Sequence, residues 1–144
     1  MSKLRPEVTL EILNQRGAGF LPGLLGVEIV SLTQGVLTSR LRVQPHHMAP
    51  NGFLHAASVV ALADTTSGYG TIAHLPEGAQ SFTTIELKSN FLGTVRDGSI
   101  LCTARGEHLG RTTQVWDAIV SDEASGLRIA MFRCTQMILW PKGQ

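Results

Sequence analysis

The sequence predicts an α+β domain, with one antiparallel sheet of about six strands wrapped around a single long central helix. Three observations predict it. Residues from Leu54 to about Ala73 are small and apolar almost all round, as in a helix buried by its surroundings. Two strand-like segments precede that helix and four follow it, divided by Gly-rich breaks. Hydrophobic residues fill 43% of the 144 positions and charged residues 16%, which supplies a core and excludes intrinsic disorder. A chain of this length is expected to form one domain spanning 1–144. It is short enough that oligomerisation would help it bury surface.

The elements follow in order. Pro6 suits a first helical turn, and Val8, Leu10, Ile12 and Leu13 come after it. Residues 6–16 therefore read as a short helix ended by Gly17 and Gly19. The stretch from Gly23 to Leu32 reads as a strand. Gln34-Gly35 makes a turn, and Val36 to Val43 alternates with a period of two, which signals a hairpin. Residues 44–53, with Pro45, Pro50, Asn51 and Gly52, read as a loop. The buried helix starts at Leu54, is loosened by Gly68 and Gly70, and is stopped by Pro76 and Gly78. Four strands are expected at 80–92, 98–109, 112–122 and 126–140. In the second, Ile100, Cys102 and Ala104 alternate with Ser99, Thr103 and Arg105. Strands joined by short turns pair antiparallel. A sheet that covers its helix on one side leaves exposed edges, which a dimer continuing the sheet would cover.

Composition narrows the function. Twelve Lys and Arg against eleven Asp and Glu leave a net charge of +1, with no electrostatic footprint for nucleic acid. Cys102 and Cys134 both lie in apolar runs and read as core thiols of a reducing compartment. The polar start from Met1 to Pro6 lacks a signal-peptide core, and no stretch approaches 18 apolar residues. A cytoplasmic protein off the membrane is expected. His46, His47 and His55 have no zinc-like spacing, so no metal is expected. No phosphate loop, dinucleotide fingerprint or serine elbow occurs, and no cofactor is expected.

Asp64 interrupts the most apolar helix of the chain. A carboxylate there either reaches solvent, or is satisfied by Thr65, Ser67 or a neighbouring strand, or it is functional, because perturbed carboxylates cluster at sites. His55 opens the same helix and reads either as a cap or as a catalytic group. The first N–H groups of that helix have no partner within it and can hold a developing oxyanion. His55 and Asp64 are nine positions apart, on opposite helix faces with a rise of roughly 13 Å. One substrate carbonyl cannot easily touch both within one chain. A twofold axis could place the helix start of one chain opposite the acid of another, so this chemistry predicts a homodimer with shared sites. Gly110-Arg111-Thr112-Thr113 reads as a hairpin turn or an anion contact.

The run Asn51-Gly52-Phe53-Leu54-His55-Ala56-Ala57-Ser58, followed by Ala61-Leu62-Ala63-Asp64-Thr65, resembles the hotdog-fold thioesterases. It looks most like the phenylacetate-pathway and Arthrobacter-type 4-hydroxybenzoyl-CoA branch. Gly52, His55 and Asp64 keep that family's spacing, and Gly110-Arg111-Thr112 before Val115-Trp116-Asp117 is similar too. The element order matches from about residue 20 to 140. The resemblance implies hydrolysis of an acyl-CoA thioester by dimers, often paired into tetramers. It implies an aromatic acyl group such as 4-hydroxybenzoyl or phenylacetyl. By position, the N–H of Ala56 would polarise the thioester carbonyl, with His55 shaping the helix start. Asp64 of the partner subunit would be nucleophile or general base. Thr84 falls where some relatives orient water. Asn51 and Gly52 are expected to contact substrate, and Arg111, Thr112 and Thr113 the CoA nucleotide.

The chain departs from the pattern at two places. Ala56 and Ala57 replace two glycines, and Ala49 stands where relatives often carry an amide, which Asn51 could replace only if the loop were redrawn. These departures motivate the alternative of a non-catalytic acyl-CoA-binding hotdog module. A hotdog dehydratase or hydratase would need a differently spaced His and acid, and no such motif occurs.

Overall fold

A computed structural model of the protein describes residues 1–143. The first helix, α1 (Leu10–Arg16), starts later than Pro6. Thr9 caps it, its hydroxyl accepting from the Ile12 N–H at 3.2 Å. Pro6 and Glu7 form only a turn. A second short helix, α2 (Leu21–Leu25), replaces the first part of the expected strand. Pro22 presets its first turn, and Gly26 ends it in the left-handed region at φ 88°, which favours glycine.

Strand β1 (Glu28–Thr33) therefore begins after Gly26 and pairs with β2 (Val36–Arg42) across the two-residue turn Gln34-Gly35. A single 3-10 turn at Pro45–His47 interrupts the loop that follows. The long helix α3 (Ala56–Ala73) starts two residues after Leu54, with His55 as its cap. Four strands follow: β3 (Ser81–Phe91), β4 (Ser99–Leu109), β5 (Thr113–Asp122) and β6 (Arg128–Leu139). All pairs are antiparallel, in the order β1-β2-β4-β5-β6-β3.

That order positions the site. The chain leaves the sheet at β2 and returns at the far edge as β3, so α3 crosses beneath β2, β4, β5, β6 and β3 and packs against each of them. Leu62, Ala63, Ile100, Cys102, Ala104, Trp116 and Val120 lose all contact with solvent between the two layers. Gly70 permits the closest approach, because a Cβ there would stand 2.7 Å from the Trp116 ring. As the edge strand, β3 is exposed along nearly its whole length.

Candidate active site

Asp64 sits mid-way along α3, partly buried. Its Oδ1 is shielded from solvent and has no hydrogen-bond partner among the described residues. Neither Thr65, Ser67 nor a strand among the described residues bonds that oxygen, while the half-buried side chain as a whole still reaches solvent. Burial raises its pKa above the ordinary carboxylate value near 3.8. It lines a cleft of about 360 Å³ with Thr83 and Thr84 of β3. The Thr84 hydroxyl donates to Gln136 Oε1 at 2.6 Å, and Gln136 is fully buried on β6.

Among the described residues, two more buried polar atoms have no hydrogen-bond partner, Ser67 Oγ and Gln136 Nε2. Ser67 follows Asp64 by one helical turn, and Gln136 reaches the Asp64 cleft through Thr84. Unsatisfied buried groups cost about 1–3 kcal/mol each and need a reason to persist. All three lie in the seam between α3 and the β3–β6 edge of the sheet. Cys134 packs near Asp64 and Ser67, and burial pushes its thiol up to about 12. It stays protonated at neutral pH and offers no competing thiolate.

The helix start is a separate place. His55 Nδ1 accepts from the Ala57 N–H at 2.9 Å, and the His55 carbonyl accepts from Ser58 and Val59. These bonds leave the Ala56 N–H without a hydrogen bond among the described residues. Ala56 lines its own hollow of about 380 Å³ with Phe53, Val59, Phe91 and Thr94. His55 is thus a capping residue that frees the donor of its neighbour. Within one chain the structure does not bring Ala56 and Asp64 together, as their helical spacing requires.

The loop before α3 is pinned from inside. His47, fully buried, accepts at Nδ1 from the Gln44 N–H and donates from Nε2 to the Leu25 carbonyl. Burial lowers its pKa, so it is a neutral structural residue with both ring nitrogens committed. Asn51 Oδ1 accepts from the Phe53 N–H within its own turn. Gly52 lies at the tip of that turn.

Arg111 lines a cleft with Leu75 and Pro76, which follow α3, while Thr113 lies across from Met137, the residue that also pairs with Thr83 of the Asp64 cleft. The Arg111 guanidinium lies 4.5 Å from the centre of the Trp140 ring. Arg111 borders that cleft of about 760 Å³ with Lys3, Arg5 and Trp140. The Thr112 carbonyl accepts from Ile138, and Thr113 opens β5. Sequence reading missed Arg16, Tyr69, Phe82 and Gln136, the first three of which line the Asp64 cleft. Only Gln136 left a signal, as a polar residue on the inward face of an otherwise apolar strand.

Residues 51–129 match the thioesterase superfamily. The chain belongs to that superfamily. The 1,4-dihydroxy-2-naphthoyl-CoA hydrolase of Listeria monocytogenes is 32% identical over 111 residues, covering 77% of this chain and 89% of the relative. A proofreading thioesterase, EntH, of Cronobacter turicensis is 28% identical over 132 residues, covering 92% and 95%. Thioesterase HI1161 of Haemophilus influenzae superposes with a TM-score of 0.90 at 28% identity, covering 98% of this chain and 97% of that one. The α+β sheet and helix are those of the hotdog fold. The protein is a thioesterase, and its reaction is the hydrolysis of an acyl-CoA thioester to a free acid and CoA. No helix among the described residues is long and apolar enough to cross a membrane.

Proposed function

We propose that this thioesterase hydrolyses an aromatic acyl-CoA, such as 4-hydroxybenzoyl-CoA or phenylacetyl-CoA, at two sites shared across a homodimer. The observation that carries the proposal is Asp64, an unpartnered, partly buried carboxylate of raised pKa in the cleft that Phe82 and Tyr69 also line. Such a carboxylate is a stronger base near neutral pH than a solvated one.

The dimer follows from β3. Ile85, Leu87 and Phe91 are 56%, 42% and 48% exposed on this edge strand. A twofold axis near Leu87 would pair β3 with its copy antiparallel, setting Phe91 across from Thr83 of the partner subunit. Phe91 lines the hollow at Ala56, and Thr83 lines the Asp64 cleft. The helix start of one chain then faces the acid of the other. Pairing of two such dimers would bury further apolar surface, such as Phe20 and Leu24 at 70% and 76% exposure.

In that site the Ala56 N–H binds the thioester oxygen and stabilises its charge as the carbonyl carbon becomes tetrahedral. The partner's Asp64 takes a proton from water as water adds to that carbon. Collapse breaks the C–S bond, and the proton passes to the departing CoA sulfur. In the alternative route Asp64 attacks the carbonyl carbon, the C–S bond breaks as CoA leaves as its thiolate, and water then opens the mixed anhydride to the free acid and the Asp64 carboxylate, giving up a proton to the thiolate. Thr84 gives its hydrogen to Gln136, which leaves its oxygen to accept from the water. His55 holds the helix start open, with Asn51 and Gly52 beside the substrate. Arg111, Thr112 and Thr113 contact the CoA nucleotide, whose phosphates suit the neighbouring Lys3. Two unbridged buried thiols fit a cytoplasmic setting.

The test is CoA thiol release from 4-hydroxybenzoyl-, benzoyl-, phenylacetyl-, hexanoyl- and palmitoyl-CoA. Aromatic esters should turn over fastest, and Asp64→Ala should lose about a hundredfold or more. Activity that survives Asp64→Ala, or a clear preference for palmitoyl-CoA, would overturn the proposal.

A further inference from the structure

We infer that Arg16 is a specificity residue which, with the Tyr69 hydroxyl, reads an oxygen at the distal end of the acyl group, either a ring hydroxyl or a ring carboxylate. The inference rests on the aryl-CoA hydrolysis proposed above and names which aryl groups the site prefers.

The cleft runs along one face of α3 from Asp64 to Ile72, a rise of roughly 12 Å. Its floor is bare at Gly68, where a Cβ would stand 3.1 Å from Phe82 Cζ. The Phe82 ring therefore closes against the helix backbone and makes one wall of a slot suited to a flat ring. Arg16 and Pro22 also line the cleft, and Gly17 between them stands close to both Pro22 and the Tyr69 hydroxyl.

Two polar groups on this slot have no part in the bond-breaking chemistry. Arg16 ends α1 and makes no ion pair or hydrogen bond among the described residues. Glu11, on the same helix, is bonded to Gln15 instead. Tyr69 buries its ring in the small core with Leu13 and Ile29, while its hydroxyl makes no hydrogen bond among the described residues. That hydroxyl stands 3.1 Å from where a Cβ of residue 17 would be, so glycine at 17 keeps it clear. Arg16 is near enough for its charge to oppose the rise that burial imposes on the phenol pKa.

A cation and a hydroxyl donor thus share this cleft, and no protein acceptor engages either. The ligand chemistry that matches them is an oxygen acceptor, best if anionic. Tyr69 lies five residues beyond Asp64, a rise of roughly 7.5 Å. A benzoyl group whose carbonyl is at Asp64 would bring a para substituent to this pair. An acyl group ending in a methyl would leave both donors unmatched.

The experiment compares kcat/KM for 4-hydroxybenzoyl-CoA and 4-carboxybenzoyl-CoA with that for 4-methylbenzoyl-CoA. The parent, Arg16→Met, Arg16→Lys and Tyr69→Phe are run together, with Asp64→Ala as the control on the hydrolysis itself. The parent should favour an oxygen-bearing ester, and the better of the two identifies hydroxyl or carboxylate as the source. Arg16→Met should lower that selectivity ratio about tenfold, the worth of one charge-assisted hydrogen bond at a partly open site. Arg16→Lys should keep part of it, and Tyr69→Phe should lower it about threefold. An unchanged ratio in Arg16→Met, while Asp64→Ala abolishes turnover, would overturn the role of Arg16 and leave the hydrolysis standing. If no ester turns over, calorimetric binding of 4-hydroxybenzoate against 4-methylbenzoate decides. Preference lost in Arg16→Met supports the inference, and no preference in the parent overturns it.

Discussion

Replacing Asp64 by Asn should make the protein more stable at neutral pH while it abolishes turnover. The carboxylate has a buried oxygen with no partner, and desolvation alone raises its pKa. A group whose folded pKa is raised holds its proton more tightly in the folded state than in the unfolded one. Its charge is therefore a cost to the fold. The cost is absent below the ordinary value near 3.8, grows as pH rises from there, and is complete above the folded pKa. An unsatisfied buried polar group costs about 1–3 kcal/mol, and removing the charge recovers much of it. For a chain of 144 residues, about 3 °C per kcal/mol gives an increase in Tm of roughly 3–9 °C at pH 7. Thermal melts of both proteins between pH 4 and pH 8 measure it. The gap between the two curves should close toward pH 4. An Asp64→Asn protein that melts below the parent at pH 7 would show that the carboxylate has a stabilising partner, and the account of it as a strained, activated group would fall.

Three further outcomes follow from the same geometry. Ala56→Pro deletes one N–H at a first-turn position where proline is favoured, and His55 before it already has extended backbone at ψ 133°. It should lower kcat about 10²–10³-fold with circular dichroism and Tm little changed, and full activity would exclude the Ala56 donor. Mixing Ala56→Pro with Asp64→Asn subunits should restore activity, because each mixed dimer assembles one intact site. Gly70→Ala should destabilise the fold by about 1–3 kcal/mol by thermal melting, since the new methyl meets Trp116, whose indole N–H is tied to Gln114 at 2.9 Å.

The strands are legible in the sequence from local alternation and turn residues, and the long helix from an unbroken run of small and apolar residues stopped by Pro76 and Gly78. The stretch from Gly23 to Leu32 holds the end of α2 and most of β1, which its residues alone do not separate. Gly23, Leu24 and Leu25 fit a strand or a helix equally as an apolar run, and only the Pro22 and Gly26 brackets separate the two. Pro6 misled in the same way, since Thr9 has the capping oxygen that a proline lacks. Asp64 was legible as a charge in an apolar helix. His47 resembled a loop histidine, and its burial depends on a carbonyl 22 residues away. Arg16, Tyr69 and Phe82 come from three elements and meet only when α3 crosses the sheet, so no pattern within a window joins them.

The two halves of the chemistry occupy different turns of one helix, and that separation explains the surface. A helix start donates well only from its first turn, because later N–H groups are spent on carbonyls four residues back. An acid is activated by burial only in the middle of the helix, where the sheet covers it. No single straight helix can offer both to one carbonyl. In the dimer proposed above, one of them comes from a second copy, and the strand between the two hollows remains unpaired within the chain. The exposed Ile85, Leu87 and Phe91 on β3, a liability in a monomer, are what that arrangement predicts. A charge placed at Leu87 should therefore disable both sites together by separating the chains, even though Leu87 belongs to neither hollow.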